Sequence, residues 1–288
     1  MSLGDPRVTV IIVALSALGA CIGSFLNVVA YRLPRECMTI ARPRSGCTRC
    51  GRLIAWYDNV PVLSWVFLRG KCRGCGASIS VRYPCVELGT ALVFGWLGAR
   101  VLPDAAFEQP MAFGSAWLVL VVMLTITSVL IALALIDLDY RILPDELTKS
   151  GIVLGPVLAF CAPDMQHGAY LISLDSSRWS AAASGVVGVV LAGGLLWSVG
   201  WLGSKAFKKD AMGFGDVKMI AAMGGCIGHW ALLSLAVAAL CGAVIGIVVR
   251  LVTAGRYIPF GPFLAIGMWT VMLWGPEIWN GYIGLFRP

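Results

Sequence analysis

The chain has 288 residues, of which 59% are hydrophobic and 13% are charged. Soluble domains carry a charged fraction of about 25%, and the mean hydropathy here is +0.84. Because the apolar residues also cluster in long runs, this composition excludes a single soluble core and indicates an all-α polytopic membrane protein. The net charge of +7 is only a weak indication of nucleic-acid binding, because excess Lys and Arg in membrane proteins occupies cytoplasmic loops.

Eight apolar runs are close to the ~20 residues that a helix needs to cross a bilayer. The first run is longer than the ~7–15 apolar residues of a signal peptide and has no small-residue cleavage site after it, so we expect it to be retained. The sixth and seventh runs are joined by GGCIGHW and form either two spans or a re-entrant pair. The predicted spans are 8–30, 85–102, 113–136, 147–162, 181–203, 217–231, 232–252 and 260–284.

The distribution of charge predicts the orientation. Between residues 32 and 82 the chain has ten Lys and Arg residues against two acidic residues. By the positive-inside rule this segment is cytoplasmic and the N-terminus faces outward. The loop at 103–111 has acidic residues and no basic one, which agrees with an outer position. We therefore predict a first membrane helix at 1–31, a cytoplasmic insert at 32–84 and a helical membrane body at 85–288.

The insert contains two C-x-x-C motifs, formed by Cys47 with Cys50 and by Cys72 with Cys75, and a glycine follows each motif. Two such turns deliver the four thiolates of a tetrahedral Zn²⁺ site, and the glycine relieves the backbone strain of the tight turn. Two disulfides, or cysteines that only pack, are alternatives that a reducing cytoplasm disfavours. Because four thiolates leave no open coordination position, we predict a structural metal that stabilises an insert with little core of its own.

Two aspartates lie where predicted spans meet the cytoplasm. Asp137 is the first polar residue after the third span, and Asp216 precedes the sixth span in the sequence GFGD. Because these two spans run in opposite directions, both carboxyl groups reach the same membrane edge. Two carboxyl groups within hydrogen-bonding distance share one proton, so one can activate a water while the other donates to a carbonyl oxygen. Gly213 and Gly215 lack side chains and would let an extended substrate strand approach.

The positions of the two aspartates are also compatible with roles other than proteolysis. An aspartate at a helix terminus is stabilised by the helix dipole without any catalytic role, and we expect this of the flanking Asp139 and Asp145. A proton-coupled transporter could also use two membrane acids. Transporter acids, however, lie near the bilayer midplane in broken helices, whereas both aspartates are predicted at the inner edge.

The motifs together resemble a known family. GFGD resembles the G-x-G-D signature of membrane aspartyl proteases. It is accompanied by GSFLNVVAYRLPR, RYPCVEL, DLDYRILPD and the paired C-x-x-C motifs, in that family's order along the chain. From residue 23 to about residue 262 the chain therefore resembles the bacterial type IV prepilin peptidases.

The resemblance implies a bifunctional enzyme of the bacterial inner membrane. Such an enzyme cleaves the basic leader of type IV prepilins or type II secretion pseudopilins on the cytoplasmic side. It then N-methylates the new N-terminal residue, commonly Phe, with S-adenosylmethionine. Its partners are these substrates, each with a basic leader and a hydrophobic helix, and membrane lipid, with no nucleic acid involved.

By motif position, the resemblance assigns catalysis to Asp137 and Asp216, zinc binding to the four cysteines of the insert, and methyl transfer to the N-terminal part of the chain. Asn27 and Glu87 lie in motifs of the family and are candidates for binding the methyl donor. Helix capping or an inter-helix hydrogen bond accounts for each of these two residues equally well. A peptidase without methyltransferase activity, with a purely structural zinc insert, is the alternative within the same family.

Overall fold

The structure is a computed structural model that describes residues 6–35, 45–102, 110–168, 170–174, 176–208, 212–253 and 259–286. Within these ranges the secondary structure is helical apart from two isolated β-bridges, so the predicted all-α class is confirmed. The helices are α1 (Pro6–Arg32), α2 (Leu63–Phe67), α3 (Arg82–Val101), α4 (Pro110–Tyr140), α5 (Asp145–Cys161), α6 (Ser177–Phe207), α7 (Phe214–Ile227), α8 (Trp230–Thr253) and α9 (Gly261–Gly284). Residues 36–44 of the predicted insert and 103–109 of the predicted outer loop lie outside the described residues.

Every long helix covers one of the eight predicted spans, with ends within four residues of the predicted ones. Among the described residues, four helices are long and apolar enough to cross a membrane: α1, α4, α6 and α8. The shortest of the eight, α7, has 14 residues and is therefore only about 21 Å long, against about 30 Å for the hydrocarbon core of a bilayer. It is joined to α8 by a two-residue turn in which Gly228 has φ +62°, a conformation that favours glycine.

The chain forms two compact units, residues 1–132 and 133–288. In the first unit, α1 packs closely against α3 through Gly19 and Gly23. A Cβ atom at Gly19 would lie 2.7 Å from the carbonyl oxygen of Thr90, and one at Gly23 would lie 2.8 Å from the Cα atom of Glu87. Small residues four positions apart therefore let the two backbones touch, as in packed membrane helices.

In the second unit, α7 is surrounded by α5, α6, α8 and α9. From Met219 to its end at Ile227, α7 is almost entirely buried. Its backbone touches that of α6, because a Cβ atom at Gly188 would lie 2.4 Å from the carbonyl oxygen of Gly224. This close packing fixes the position of the first turn of α7. That turn is the more exposed end of the helix and carries Asp216.

We expect Gly188→Ala to destabilise the protein by about 1–3 kcal/mol, because the added methyl group overlaps the backbone of α7. Gly194→Ala is the matched control on the same helix, since a Cβ atom there meets nothing within 4 Å. The control should be neutral or slightly stabilising, because alanine favours a helix over glycine by up to ~1 kcal/mol. The measurement is the thermal unfolding midpoint of each purified variant in one detergent, and equal midpoints would contradict the packing described.

Candidate active site and candidate metal centre

Asp137 lies in the last turn of α4 and is buried, with 6% of its surface exposed. Its Oδ2 atom accepts a hydrogen bond of 2.9 Å from the backbone N–H of Gly261, the first residue of α9. The first N–H groups of a helix have no partner within that helix and carry partial positive charge, so they are suited to hold a carboxylate. A Cβ atom at Gly261 would lie 2.5 Å from Oδ2. A side chain at this position is therefore incompatible with the hydrogen bond.

Asp216 lies in the first turn of α7 and is partly exposed. The carboxyl groups of Asp137 and Asp216 are close enough to interact electrostatically, although 79 residues separate them in the chain. The structure thus brings together the two aspartates that the sequence singles out. One carboxyl group is enclosed and hydrogen-bonded to α9, and the other remains accessible from outside the unit.

An ion pair fixes the first turn of α7 to the first turn of α5. The Nζ atom of Lys218 contacts Oδ1 of Asp145, and the Nζ atom of Lys149 lies 2.6 Å from Oδ2 of the same carboxylate. Since Lys218 follows Asp216 by two residues and α5 begins eight residues after Asp137, this contact ties together the two segments that carry the aspartates. Asp145, expected to be a solvated or capping residue, has this additional contact with α7.

The two glycines of GFGD differ in their surroundings. A Cβ atom at Gly215 would lie 3.0 Å from Cβ of Leu143, so this glycine permits close packing of α7 against the segment that follows α4. Gly213 is exposed, and a Cβ atom there would meet only the Asp216 carboxylate, at 3.6 Å. Close packing thus explains why position 215 is a glycine. For both Gly213 and Gly215, a role in the approach of a substrate strand stays a prediction.

Sequence reasoning missed Gly261 and Lys218. A signal for Lys218 is present, because it is a lone basic residue within the apolar run that follows Asp216. A signal for Gly261 is the sequence FGP at the start of the last span, since Pro favours the first turn of a helix, whose N–H groups have no partner within the helix. Neither signal says which carboxylate is the partner.

The four cysteines of the insert form a cluster in which all Sγ atoms lie within 4.8 Å of one another. Cys47 Sγ and Cys75 Sγ, from different motifs, are 3.8 Å apart. A tetrahedral zinc site with Zn–S bonds of ~2.3 Å has sulfur atoms about 3.8 Å apart. The arrangement and the chemistry of the donors therefore fit a Cys₄ zinc ion, and other groups of three or more metal-binding side chains are absent from the described residues.

The two motifs have the same local geometry. The carbonyl oxygen of Cys47 accepts the N–H of Gly51 at 2.9 Å, and that of Cys72 accepts the N–H of Gly76 at 2.9 Å. Gly51 and Gly76 have φ values of +71° and +68°, which glycine adopts without strain. Backbone hydrogen bonds from Cys50 and Arg49 lower the pKa of the Cys47 thiol to about 6. The backbone of the turn thus favours a thiolate, the form that binds a metal.

The second motif is attached to the turn at Trp56–Asn59 by an ion pair. The guanidinium of Arg73 donates two hydrogen bonds to Asp58, from Nε at 2.8 Å and from Nη2 at 2.7 Å. These bonds hold the pKa of the Asp58 carboxyl below its usual value. Since Arg73 directly follows Cys72, the ion pair also positions one of the sulfur ligands.

Asn27 and Glu87 are both buried and both hydrogen-bonded to the backbone. The Nδ2 atom of Asn27 donates to the carbonyl oxygen of Tyr83 at 3.3 Å, which links α1 to α3. Oε2 of Glu87 accepts the backbone N–H of Val62 at 2.7 Å, which links α3 to the start of α2. The inter-helix hydrogen bond considered for Asn27 is present, and both residues have a structural role in the first unit. Their role in binding the methyl donor stays a prediction.

Comparisons with known proteins cover both candidate centres. The family model of the bacterial peptidase A24 N-terminal domain matches residues 17–101, which include the four cysteines. The model of the type IV leader peptidase family matches residues 124–247, which include both aspartates. No solved structure gives a significant match to the chain.

Several curated proteins align with this chain under the name prepilin leader peptidase/N-methyltransferase. The one from Stutzerimonas stutzeri is 35% identical over 94% of this chain and 93% of its own length. The one from Pseudomonas aeruginosa is 36% identical over 92% of this chain and 91% of its own length. The one from Myxococcus xanthus is 42% identical over 84% of this chain and 64% of its own length. Identity of this extent over nearly the full chain confirms the resemblance seen in the motifs, and the protein belongs to the type IV leader peptidase family.

Proposed function

We propose that this protein cleaves the leader peptide of type IV prepilins or type II secretion pseudopilins and then N-methylates the new N-terminal residue. The names of the full-length relatives support both activities. The observation that supports the peptidase activity is that Asp137 and Asp216, at the ends of two helices, lie close enough to interact electrostatically. Membership of a peptidase family favours this function over a proton-coupled transporter, which could use the same acids.

In the proposed mechanism the two carboxyl groups hold one proton between them and act as a unit. The ionised carboxylate takes a proton from a water, whose oxygen attacks the carbonyl carbon of the scissile peptide bond. The protonated carboxyl group donates its proton to the carbonyl oxygen, which gives a tetrahedral intermediate. The C–N bond then breaks as the carboxyl group that took the proton of the water passes it to the leaving amine. The other carboxylate takes back the proton of the hydroxyl that becomes the new carbonyl, so the shared proton is restored. The N–H of Gly261 fixes Asp137 in the site, and the partial exposure of Asp216 leaves room for the water and the substrate.

Asp137→Asn and Asp216→Asn should each lower kcat for leader cleavage by roughly 10³-fold or more, because an amide cannot take up the shared proton. Asp139→Asn, two residues from Asp137 and on the exposed side of α4, is the control and should retain cleavage. The measurement is the rate of leader release from a purified prepilin by the variants in one detergent. Wild-type rates in either of the first two variants would rule out the aspartate pair as the catalytic centre.

We place the site at the cytoplasmic face of the bacterial inner membrane, with the N-terminus outside. The support is the excess of Lys and Arg between residues 32 and 82 and the positive-inside rule. The hydrophobic helix of the substrate would enter sideways from the bilayer and lie against the membrane helices. Its basic leader would then meet the two acidic side chains at the inner edge.

Reversing the charge of the leader should therefore lower kcat/KM for cleavage by roughly tenfold at low ionic strength. The difference between the basic and the acidic leader should shrink as salt screens the charges. The measurement compares two prepilins that differ only in the leader, each over a range of salt concentrations. Equal rates at low salt would exclude electrostatic recognition of the leader by the aspartate pair.

We further propose that the insert at 32–84 holds a structural Zn²⁺ ion on Cys47, Cys50, Cys72 and Cys75 and serves the methyltransferase activity. The metal would stabilise an insert that has little apolar core. S-adenosylmethionine supplies the methyl group when it is bound. The two buried polar residues considered for its site, Asn27 and Glu87, already bond to backbone groups, so we assign no residue to that site beyond these candidates.

Cys47→Ser should lose bound zinc, because a serine hydroxyl does not replace a thiolate ligand. Cys85→Ser is the control, since Cys85 is an exposed cysteine outside the cluster, and it should keep one zinc ion per chain. Metal content is measured by elemental mass spectrometry on purified protein, and methyl transfer by labelled S-adenosylmethionine and a cleaved pilin. Loss of zinc together with methyl transfer supports the proposed role of the insert. Loss of zinc with full methyl transfer leaves the insert a purely structural role, and unchanged zinc refutes the site.

A further inference from the structure

The insert exposes a set of large apolar side chains. In α2, Leu63, Val66 and Phe67 are 55%, 57% and 80% exposed. Their spacing of three and four residues places them on one face of the helix. Just before α2, Trp56 is 77% exposed. Leu63, Val66 and Phe67, here called the apolar face of α2, are unusual for a water-exposed surface, where contiguous large apolar groups indicate an interaction site.

The opposite side of α2 is held by the rest of the insert. The hydroxyl of Ser64 donates to the carbonyl oxygen of Tyr57 at 3.1 Å, and the indole N–H of Trp65 donates to that of Ile79 at 3.0 Å. These contacts fix which face of α2 is turned outward. The exposure of the apolar face is therefore a property of the folded insert.

Contacts between helices indicate the depth of α2 relative to the membrane. The Cα atom of Glu87 packs against Gly23 of α1, and Gly23 lies nine residues before the end of that helix at Arg32, which is about 13 Å of helix. Oε2 of Glu87 accepts the N–H of Val62 at 2.7 Å, and a glutamate side chain extends only ~5 Å. Measured along the axis of α1, Val62 therefore lies at least about one helical turn before Arg32, on the side of Gly23.

The helix used for this comparison is itself apolar enough to span a membrane, from Pro6 through the turn that ends at Arg35. Along the axis of α1, the start of α2 therefore lies beside the apolar part of α1 and not beyond its end at Arg32. Between residues 45 and 84, the described part of the insert has five exposed basic residues against a single acidic one, Asp58. The five are Arg49, Arg52, Arg69, Lys71 and Arg73. Basic side chains next to an apolar face are typical of segments that lie in the interface of an anionic membrane.

We propose that α2 is an interfacial anchor whose apolar face is immersed in the lipid of the cytoplasmic leaflet. The zinc-binding part of the insert is then held close to the membrane by α2, and Arg69 and Lys71, which follow α2, face the phosphate groups of anionic lipids. Trp56 would lie at the level of the headgroups, where aromatic residues are enriched. This role rests on the proposed function, in which the insert serves methyl transfer: the anchor would keep the insert at the cytoplasmic face of the membrane.

The test uses full-length protein with the photoreactive residue p-benzoylphenylalanine in place of Phe67, reconstituted into vesicles of phosphatidylethanolamine and phosphatidylglycerol. After irradiation, mass spectrometry of the peptides identifies what is attached at position 67. We expect phospholipid adducts there, because an immersed face contacts acyl chains. The matched control carries the same residue in place of Thr48, which is exposed at the tip of the first C-x-x-C turn, and should give lipid adducts only at background level.

Three further results would decide against the anchor. Background levels of lipid adduct at position 67, equal to those at position 48, would place the apolar face in water. Adducts to a second copy of the chain would make it a dimer contact, and adducts to an added prepilin would make it a substrate surface. If the Phe67 variant elutes abnormally or no longer cleaves a leader, Val66, on the same face of α2, is the second position for the photoreactive residue.

Discussion

The hydrogen bond from the N–H of Gly261 to the carboxylate of Asp137 is the contact on which the candidate active site depends. A buried carboxyl group is costly unless it is hydrogen-bonded or paired, and here the start of α9 supplies that bond. It also restricts position 261 to glycine, since a Cβ atom would overlap the carboxylate. The end of α4 here meets the beginnings of α7 and α9. This arrangement buries Asp137 against the start of α9 and leaves Asp216 accessible.

The first unit is organised around a different buried carboxylate. Glu87 packs against Gly23 of α1 and accepts the N–H of Val62, which has φ +62°. A β-branched residue rarely adopts this conformation, so the hydrogen bond helps to compensate its cost. This contact connects the membrane helices to the insert, whose cysteine cluster and apolar face of α2 are thereby fixed relative to α1 and α3.

Much of the candidate site follows from local sequence signals. The cysteine cluster is predictable because each C-x-x-C turn with its glycine fixes its own geometry over a few residues, and the two turns need only meet. The proximity of Asp137 and Asp216 is predictable because two predicted spans of opposite direction have these residues at the same end. Lys218 and Gly261 are not predictable in this way, because their partners, Asp145 and Asp137, are 73 and 124 residues away and no local pattern specifies such a contact.

The sequence by itself determined the helical class, the positions of eight long helices to within four residues and the identity of the paired aspartates and clustered cysteines. Hydropathy and turn-forming residues act over short stretches of chain, which is why these features can be read directly. Only the tertiary structure decided which backbone groups satisfy the buried carboxyl groups, which glycines mark helix contacts and which face of α2 is turned outward. Those features depend on how helices pack, and packing is set by shape and hydrogen bonding between residues far apart in the chain.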